Sequence, residues 1–388
     1  MTPNRRRSIG AVALAGLTGL AGAGCVPDPP PIPHPPGTIA FVVGGRSNMP
    51  KPRLVGEAQA WLRDAVLSKD RIVVVGVSGK PEILLQDRAD HECDSEKACE
   101  SVVEEYQKGV TDIFDQARAT APEADTLGAI QLAARNMDGS GPHRIVVVDN
   151  GLQTTGELPL NGDGALAADP ELVAAELSTG DRLAYLNDTE VLFTGLGAAR
   201  TPQEPLPPAD TAKLERLWEA VLTAGGATVK IETASIPDDE PVAAGMPKVG
   251  VVKPDSEEVV PIKPHCYKIR GDKVGFVGDQ AVFKDPKKAI KVLTPIAADL
   301  KENNAAATVV GTTAYRERDK SNPLSRARAK AVTDVLTDLG VDKRLLVVGG
   351  VGTNFPGHPN PNAEVGSMPE TVAQQYRLVM ISPVGQPC

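Results

Sequence analysis

Hydroxyl and carboxylate side chains stand beside predicted strands and helices in the first half of the chain. Ser47 follows the apolar run 39–43, Thr126 opens a helical pattern, and Asp149 follows the apolar run 144–148. Ligands bind at the carboxyl ends of parallel strands. Ser47, Thr126 and Asp149 are therefore candidates to contact a ligand at this edge of the sheet. The alternative is that they cap helices and turns.

Catalytic motifs are not found in the sequence. The stretch 76–80, Gly-Val-Ser-Gly-Lys, lacks the spacing of a phosphate-binding loop and is followed by Pro81. Neither Gly-x-Ser-x-Gly nor His-Glu-x-x-His occurs, and the five histidines are scattered along the chain. We therefore expect a protein that is not an enzyme and that needs no cofactor.

The cysteines divide into one near the N-terminus and four in the body of the chain. Cys93, Cys99, Cys266 and Cys388 are an even number, which suggests two disulfides with three possible connectivities. The short polar loop between Cys93 and Cys99 favours the pairs 93–99 and 266–388. Metal ligation is the rival interpretation, but no Cys-x-x-Cys motif is present.

The first 24 residues have the pattern of an export signal. Three arginines at 5–7 precede the apolar run 9–23, which ends in small residues directly before Cys25. This arrangement resembles a bacterial lipobox, and it implies that Cys25 is diacylated and becomes the new N-terminus. Residues 26–36 then contain seven prolines. In polyproline II form they would make a stalk of roughly 30 Å, with an ordinary disordered linker as the alternative.

Charge and length limit the remaining possibilities. The chain has 388 residues and a formal net charge of −9, which disfavours nucleic acid as a partner. Its longest apolar run is shorter than the roughly 20 residues of a membrane span. The length suggests two folded domains.

The first domain, residues 38–235, is predicted to alternate strands and helices. Continuous β-branched strands separated by helices indicate an α/β fold with a mostly parallel, doubly wound sheet. The predicted strands are 39–43, 71–77, 82–85, 144–148, 190–196 and 227–232, and the predicted helices are 54–67, 96–119, 126–136, 170–177 and 211–224.

This element order resembles a von Willebrand factor A domain. That family builds a metal site from Asp-x-Ser-x-Ser after the first strand, a later Thr, and an Asp-Gly after the fourth strand. Thr126 and Asp149 match the last two parts, whereas Gly44 or Gly45 stands in place of the leading Asp, and only Ser47 or Asn48 could offer an oxygen from that loop. The resemblance therefore makes Ser47, Thr126 and Asp149 the candidate ligands of a Mg²⁺ ion. The resemblance implies a degenerate site that does not hold Mg²⁺ strongly, and a domain that contacts another envelope protein.

A linker, 236–265, rich in Pro, Asp and Glu, precedes the second domain, 266–388. Its pattern indicates a smaller α+β unit of four strands with helices on one face. We expect strands at 273–277, 307–311, 345–348 and 376–381, and helices at 285–300 and 324–339.

The second domain resembles the OmpA C-terminal-like family over residues 267–383. The likeness lies in the stretches 276–283, 309–314 and 322–329, the last reading Asn-Pro-Leu-Ser-Arg-Ala-Arg-Ala. The resemblance implies binding of the peptidoglycan stem peptide, with Arg328 in the place of the family arginine, Arg377 as a second arginine and Thr313 beside the pocket. Ala314 stands where the family has an aspartate. Asp319 and Glu317, from the following loop, are the candidates to replace it.

Together these features predict an exported lipoprotein of the cell envelope, at the outer face of the cytoplasmic membrane or in the periplasm. It would tether the membrane to peptidoglycan noncovalently. The alternative is an interaction scaffold in which both the metal site and the peptidoglycan site have decayed.

Overall fold

The computed structural model describes residues 34–179, 182–232, 245–254, 259–314, 321–357 and 368–386. The export signal, Cys25, most of the stalk, Glu317, Asp319 and Cys388 lie outside these residues. Two sheets, each with its own hydrophobic core, lie within one compact unit, Pro33–Cys388.

The first sheet has six strands in the order β3-β2-β1-β4-β5-β6. All neighbours are parallel except the edge strand β3, which pairs antiparallel with β2. The strands are β1 (Thr38–Gly44), β2 (Arg71–Val77), β3 (Glu82–Arg88), β4 (His143–Val148), β5 (Thr189–Thr194) and β6 (Thr228–Glu232). The prediction of a mostly parallel sheet is confirmed.

Helices cover both faces of this sheet, so its central strands are buried on both sides. In β1 the side chains alternate between two cores, with Ala40 and Val42 in one and Ile39, Phe41 and Val43 in the other. This alternation follows from the two-residue period of a strand. The helices are α1 (Glu57–Leu67), α2 (Glu96–Phe114), α3 (Thr126–Ala134), α4 (Pro170–Ser178) and α5 (Pro208–Ala224).

Aspartate caps fix where several helices begin. Asp125, Asp169 and Asp285 each accept a hydrogen bond from a backbone N–H in the first turn of the following helix. In α4 and in α6 (Pro286–Glu302) a proline follows the cap, where its missing N–H costs nothing.

The second sheet has four strands in the order β7-β10-β8-β9. Only β8 and β9 are parallel, and β10 lies antiparallel to both β7 and β8. The remaining elements are β7 (Tyr267–Arg270), β8 (Ala307–Thr312), α7 (Ser321–Asp338), β9 (Leu346–Gly352), α8 (Glu370–Ala373) and β10 (Leu378–Pro383).

The strand predicted at 273–277 is wrong. The edge strand is Tyr267–Arg270 instead, because these residues pair with β10. The chain then turns, with the N–H groups of Lys273 and Val274 donating to the carbonyl of Arg270 at 3.0 and 3.3 Å. Within the predicted strand, Phe276 forms an isolated antiparallel β-bridge with Phe283.

Part of the segment predicted as a linker packs against the first sheet. Val249 and Val252 are 3% and 1% exposed and belong to one of its cores. The Gln203 amide fixes this segment, because its Nε2 donates to the Val252 carbonyl and its Oε1 accepts from the Val252 N–H, both at 2.8 Å. Residues 245–254 contain no strand.

A disulfide joins Cys93 and Cys99, as predicted. Cys266 is also disulfide-bonded, and Cys388, its predicted partner, lies outside the described residues. None of the helices in the described part of the chain has the length and apolar character needed to cross a membrane.

Candidate functional site

Two of the three predicted metal ligands meet at the carboxyl ends of β1 and β4. The Thr126 hydroxyl, at the start of α3, donates to Oδ1 of Asp149 at 3.0 Å. Ser47 is used differently, because its hydroxyl donates to the carbonyl of Pro247 at 3.0 Å. The predicted set is therefore only partly assembled.

Arg46, which the sequence did not indicate as part of this site, contacts Asp149 directly. Its Nη2 donates to Oδ1 of Asp149 at 3.0 Å and lies 2.9 Å from Oδ2. The same nitrogen donates to the side-chain oxygen of Asn150. Both side chains of the ion pair are 0% exposed. We call the site formed by Arg46, Thr126, Asp149 and Asn150 the Arg46 crevice.

Two glycines allow close packing at the end of β1. A Cβ atom at Gly44 would lie 2.0 Å from Oδ2 of Asp149, and one at Gly45 would lie 1.6 Å from the carbonyl oxygen of Ala117. No larger residue fits either position without movement of its neighbours. Gly44 is therefore required by its packing against Asp149, and Gly45 by its packing against Ala117.

A second site is a cavity of about 860 Å³ between the two sheets. Three residues predicted from the sequence, Thr313, Arg328 and Arg377, line it. The first half of the chain contributes residues of α4 and α5 to the same wall, and Asp169 at the start of α4 pairs with Lys284 at 2.8 Å. We call this the inter-sheet cavity.

Arg328 is held in place by contacts that leave its terminal nitrogens unused. Its Nε donates to the carbonyl of Gln280 at 3.0 Å, and its guanidinium lies 5.3 Å from the ring centre of Phe276. Phe276 in turn stacks on Phe283 at 4.8 Å. No described residue accepts a hydrogen bond from Nη1 or Nη2 of Arg328, so these donors are available to a ligand.

The electrostatics of Arg328 reflect partial burial. Burial, together with the charge of Arg377, lowers its pKa from the usual value, while Asp279 opposes that change. An arginine stays protonated under all ordinary conditions. The lowered pKa therefore indicates a cation that is incompletely compensated by the protein around it.

Thr313 lies on the wall of the inter-sheet cavity. It is 6% exposed, and its Oγ1 has no hydrogen-bond partner among the described residues. Buried polar atoms are nearly always paired. The oxygen is itself buried, so Thr313 lines the cavity without exposing its hydroxyl to it.

Arg377 already has a partner. Its Nη2 donates to Oε2 of Glu370 at 2.7 Å, and its Nη1 donates to Oε1 of the same carboxylate. The N–H of Glu370 donates to Oε2 of Glu176 on α4 at 2.7 Å. Arg377 thus belongs to a network between the two halves and offers less to a ligand than Arg328 does.

Ala314 is 4% exposed and packs with Met368 and Ala373, so the place of the family aspartate is apolar. Asp279 is an exposed acid that lines the same cavity and attracts Arg328. Sequence reasoning missed Asp279. The signal in the sequence was the Gly278–Asp279 pair between Phe276 and Phe283, which is typical of a turn. In the structure Asp279 has a φ of 51°.

Comparison with known proteins finds partial likeness to solved structures. No protein-family model and no curated protein matches the chain. The OmpA-like domain of FopA1 from Francisella tularensis is 20% identical, with a TM-score of 0.24, over 33% of this chain and 81% of that one. The cell wall anchor of the T6SS from Pseudomonas aeruginosa is 23% identical, with a TM-score of 0.25, over 30% and 80%. The periplasmic domain of Helicobacter pylori MotB is 18% identical, with a TM-score of 0.25, over 31% and 76%. Each likeness is low and covers about a third of this chain.

Proposed function

We propose that the second half of the chain binds peptidoglycan noncovalently and that the protein tethers a membrane to the cell wall. The observation that carries the proposal is Arg328, with Nη donors unused by the described residues, on the wall of the inter-sheet cavity. Its position in an OmpA-like sequence motif supports the same role. The protein acts by binding and is not an enzyme, and it uses no cofactor.

The ligand is a stem-peptide carboxylate. A guanidinium presents two parallel N–H donors, which match the two oxygens of a carboxylate. Nε of Arg328 already donates a hydrogen bond to the carbonyl of Gln280. The carboxylate would therefore accept hydrogen bonds from the two terminal nitrogens, Nη1 and Nη2. Asp279 supplies a negative charge for an ammonium group of the same peptide.

Anchoring is the second part of the proposed function. A lipid on Cys25 would hold the N-terminus in a membrane of the envelope, and the proline-rich stalk would separate the body from it. Replacing Cys25 with Ser should move the protein from the membrane fraction to the soluble fraction. Retention in the membrane fraction after this change would contradict lipid anchoring at Cys25.

Co-sedimentation of the full chain with purified peptidoglycan tests the wall-binding part. The wild type should pellet with the wall material, and Arg328→Ala should pellet much less. Arg326→Ala is the matched control, because Arg326 is an exposed arginine two residues away on the same helix and does not line the cavity. If the wild type stays in solution, wall binding is refuted.

The alternative is an envelope protein-interaction scaffold. Two observations favour it: Ala314 is buried in an apolar cluster, and Arg377 is bound to Glu370. Under this alternative the wild type would not pellet with peptidoglycan but would copurify with another envelope protein.

A further inference from the structure

The Arg46 crevice contains a buried ion pair that no part of the proposed wall-binding function uses. Arg46 and Asp149 are both 0% exposed, with Nη2 between 2.9 and 3.0 Å from the two carboxylate oxygens. A buried carboxylate must be balanced by a cation or by hydrogen bonds. Here the Arg46 side chain supplies that balance.

Mg²⁺ does not fit this crevice while Arg46 is present. Mg²⁺ binds oxygen at about 2.1 Å in octahedral geometry, but Oδ1 of Asp149 already accepts from Arg46, Thr126 and the N–H of Gly151. An ion on either carboxylate oxygen would lie beside the guanidinium, and like charges in a buried site repel strongly. The described residues also contain no group of three or more His, Cys, Asp or Glu that could hold a metal.

We propose that the guanidinium of Arg46 is the resident cation of this crevice and takes the place of a divalent metal ion. Gly44 excludes an aspartate from the end of β1, because its Cβ would lie 2.0 Å from Oδ2 of Asp149. The same close approach lets the next side chains of the loop reach the carboxylate. Oxygens of Thr126, Asp149 and Asn150 therefore form a latent divalent site that Arg46 occupies.

This assignment makes the crevice independent of metal ions. The positive charge is covalently part of the chain, so chelators cannot remove it and divalent ions cannot compete for it at ordinary concentrations. The inference concerns the first sheet alone and does not depend on peptidoglycan binding by the second half.

Mn²⁺ binding to the full chain tests the proposal, with the paramagnetic signal of free Mn²⁺ as the readout. The wild type should show no binding that depends on Asp149, and neither Mn²⁺ nor EDTA should change its unfolding temperature. Arg46→Ala should bind Mn²⁺ at least about tenfold more tightly, because the repelling charge is gone, and Mn²⁺ should raise its unfolding temperature. The double variant Arg46→Ala/Asp149→Asn should lose this gain.

Arg63→Ala is the matched control, since it removes an arginine that pairs with the carboxylate of Glu100 on the surface. It should gain no Mn²⁺ binding. The proposal is overturned if the wild type binds Mn²⁺ and Asp149→Asn abolishes that binding, or if folded Arg46→Ala shows no gain.

A pair of polar variants keeps the test decisive if Arg46→Ala does not fold. Arg46→Gln leaves the Asp149 charge buried and unpaired, whereas Arg46→Gln/Asp149→Asn removes both charges. The double variant should unfold at a higher temperature than Arg46→Gln alone, because residues in one ion pair are energetically coupled. Equal unfolding temperatures would refute the role of Arg46 as the cation of this site.

Discussion

Replacing Arg328 with alanine should weaken peptidoglycan binding by about 10- to 100-fold. The lost interaction is a bidentate, charge-assisted hydrogen bond, and hydrogen bonds to charged groups contribute about 1.5–3 kcal/mol. We apply this range to the two hydrogen bonds together and not to each, because Arg328 is partly exposed and water screens the charges. At about 1.4 kcal/mol per factor of ten, the stated loss of affinity follows.

The same change should leave the protein folded. Arg328 makes one hydrogen bond to a carbonyl, at 3.0 Å, and one contact with the ring of Phe276. A cation–π contact at a partly exposed site contributes about 0.5–1 kcal/mol and a hydrogen bond about 0.5–1.5 kcal/mol, so the loss of unfolding free energy should stay within about 2.5 kcal/mol. A reduced affinity of a variant whose urea unfolding curve shows that it is fully folded under the assay conditions would therefore locate the effect in ligand binding.

Calorimetric titration with a soluble stem peptide gives the affinity, and co-sedimentation with whole wall material gives a second readout. Arg328→Lys keeps the charge but loses the planar fork, so its affinity should fall between those of the wild type and Arg328→Ala. Arg326→Ala should bind as the wild type does. The reasoning is refuted if Arg328→Ala retains full affinity or if Arg326→Ala loses as much.

Two further predictions concern pH and packing in the second half. Burial raises the pKa of Asp272, but hydrogen bonds from the neighbouring arginine and lysine outweigh it and hold the pKa below the usual value. The stability that Asp272 contributes should be complete above its unfolded pKa of about 3.9 and lost as the pH falls through the lower folded pKa. Asp272→Asn should thus be less stable than the wild type in urea at pH 7 and equal to it in strong acid; an equal loss at both pH values would contradict this. Leu293→Ala, at a fully buried position of α6, should cost about 2–5 kcal/mol of unfolding free energy. Ile290→Ala on the same helix is the control, because Ile290 is 46% exposed and its replacement should cost under about 1 kcal/mol. Equal losses of unfolding free energy in the two variants would contradict the burial of Leu293.

Much of the first sheet could be predicted because its signals are local. β-branched runs such as 144–148 form strands that are buried on both faces, and an aspartate followed by a proline marks the start of a helix. The antiparallel edge strand β3 also follows from a short turn, since 78–81 is too short for a crossover connection.

The errors arose where pairing partners are far apart in the sequence. The stretch 273–277 alternates like a strand, but β10 pairs with Tyr267–Arg270, more than a hundred residues earlier in the chain. No local pattern shows which of the two adjacent segments, 267–270 or 273–277, pairs with β10. Tertiary pairing decided the outcome.

Two contacts at the candidate sites could not be predicted, for a related reason. A charged residue after two glycines is typical of an exposed loop, yet Arg46 is buried against a carboxylate 103 residues away. Arg377 is likewise engaged by Glu370, which a motif cannot reveal. Residue types indicated which groups have useful chemistry, but only the packing shows which of them are already bound to each other.

The central position of β1 also determines how the protein would respond to mechanical load. The chain before residue 38 leads directly into β1, which is hydrogen-bonded to β2 on one side and to β4 on the other, and all seven of its residues are buried. A pull on the N-terminal segment would act along the strand axis, so hydrogen bonds to both neighbours would bear the force together in shear rather than opening one after another. Traction from the N-terminus would thus meet first a strand that is held on both edges, an arrangement that suits the proposed tethering role.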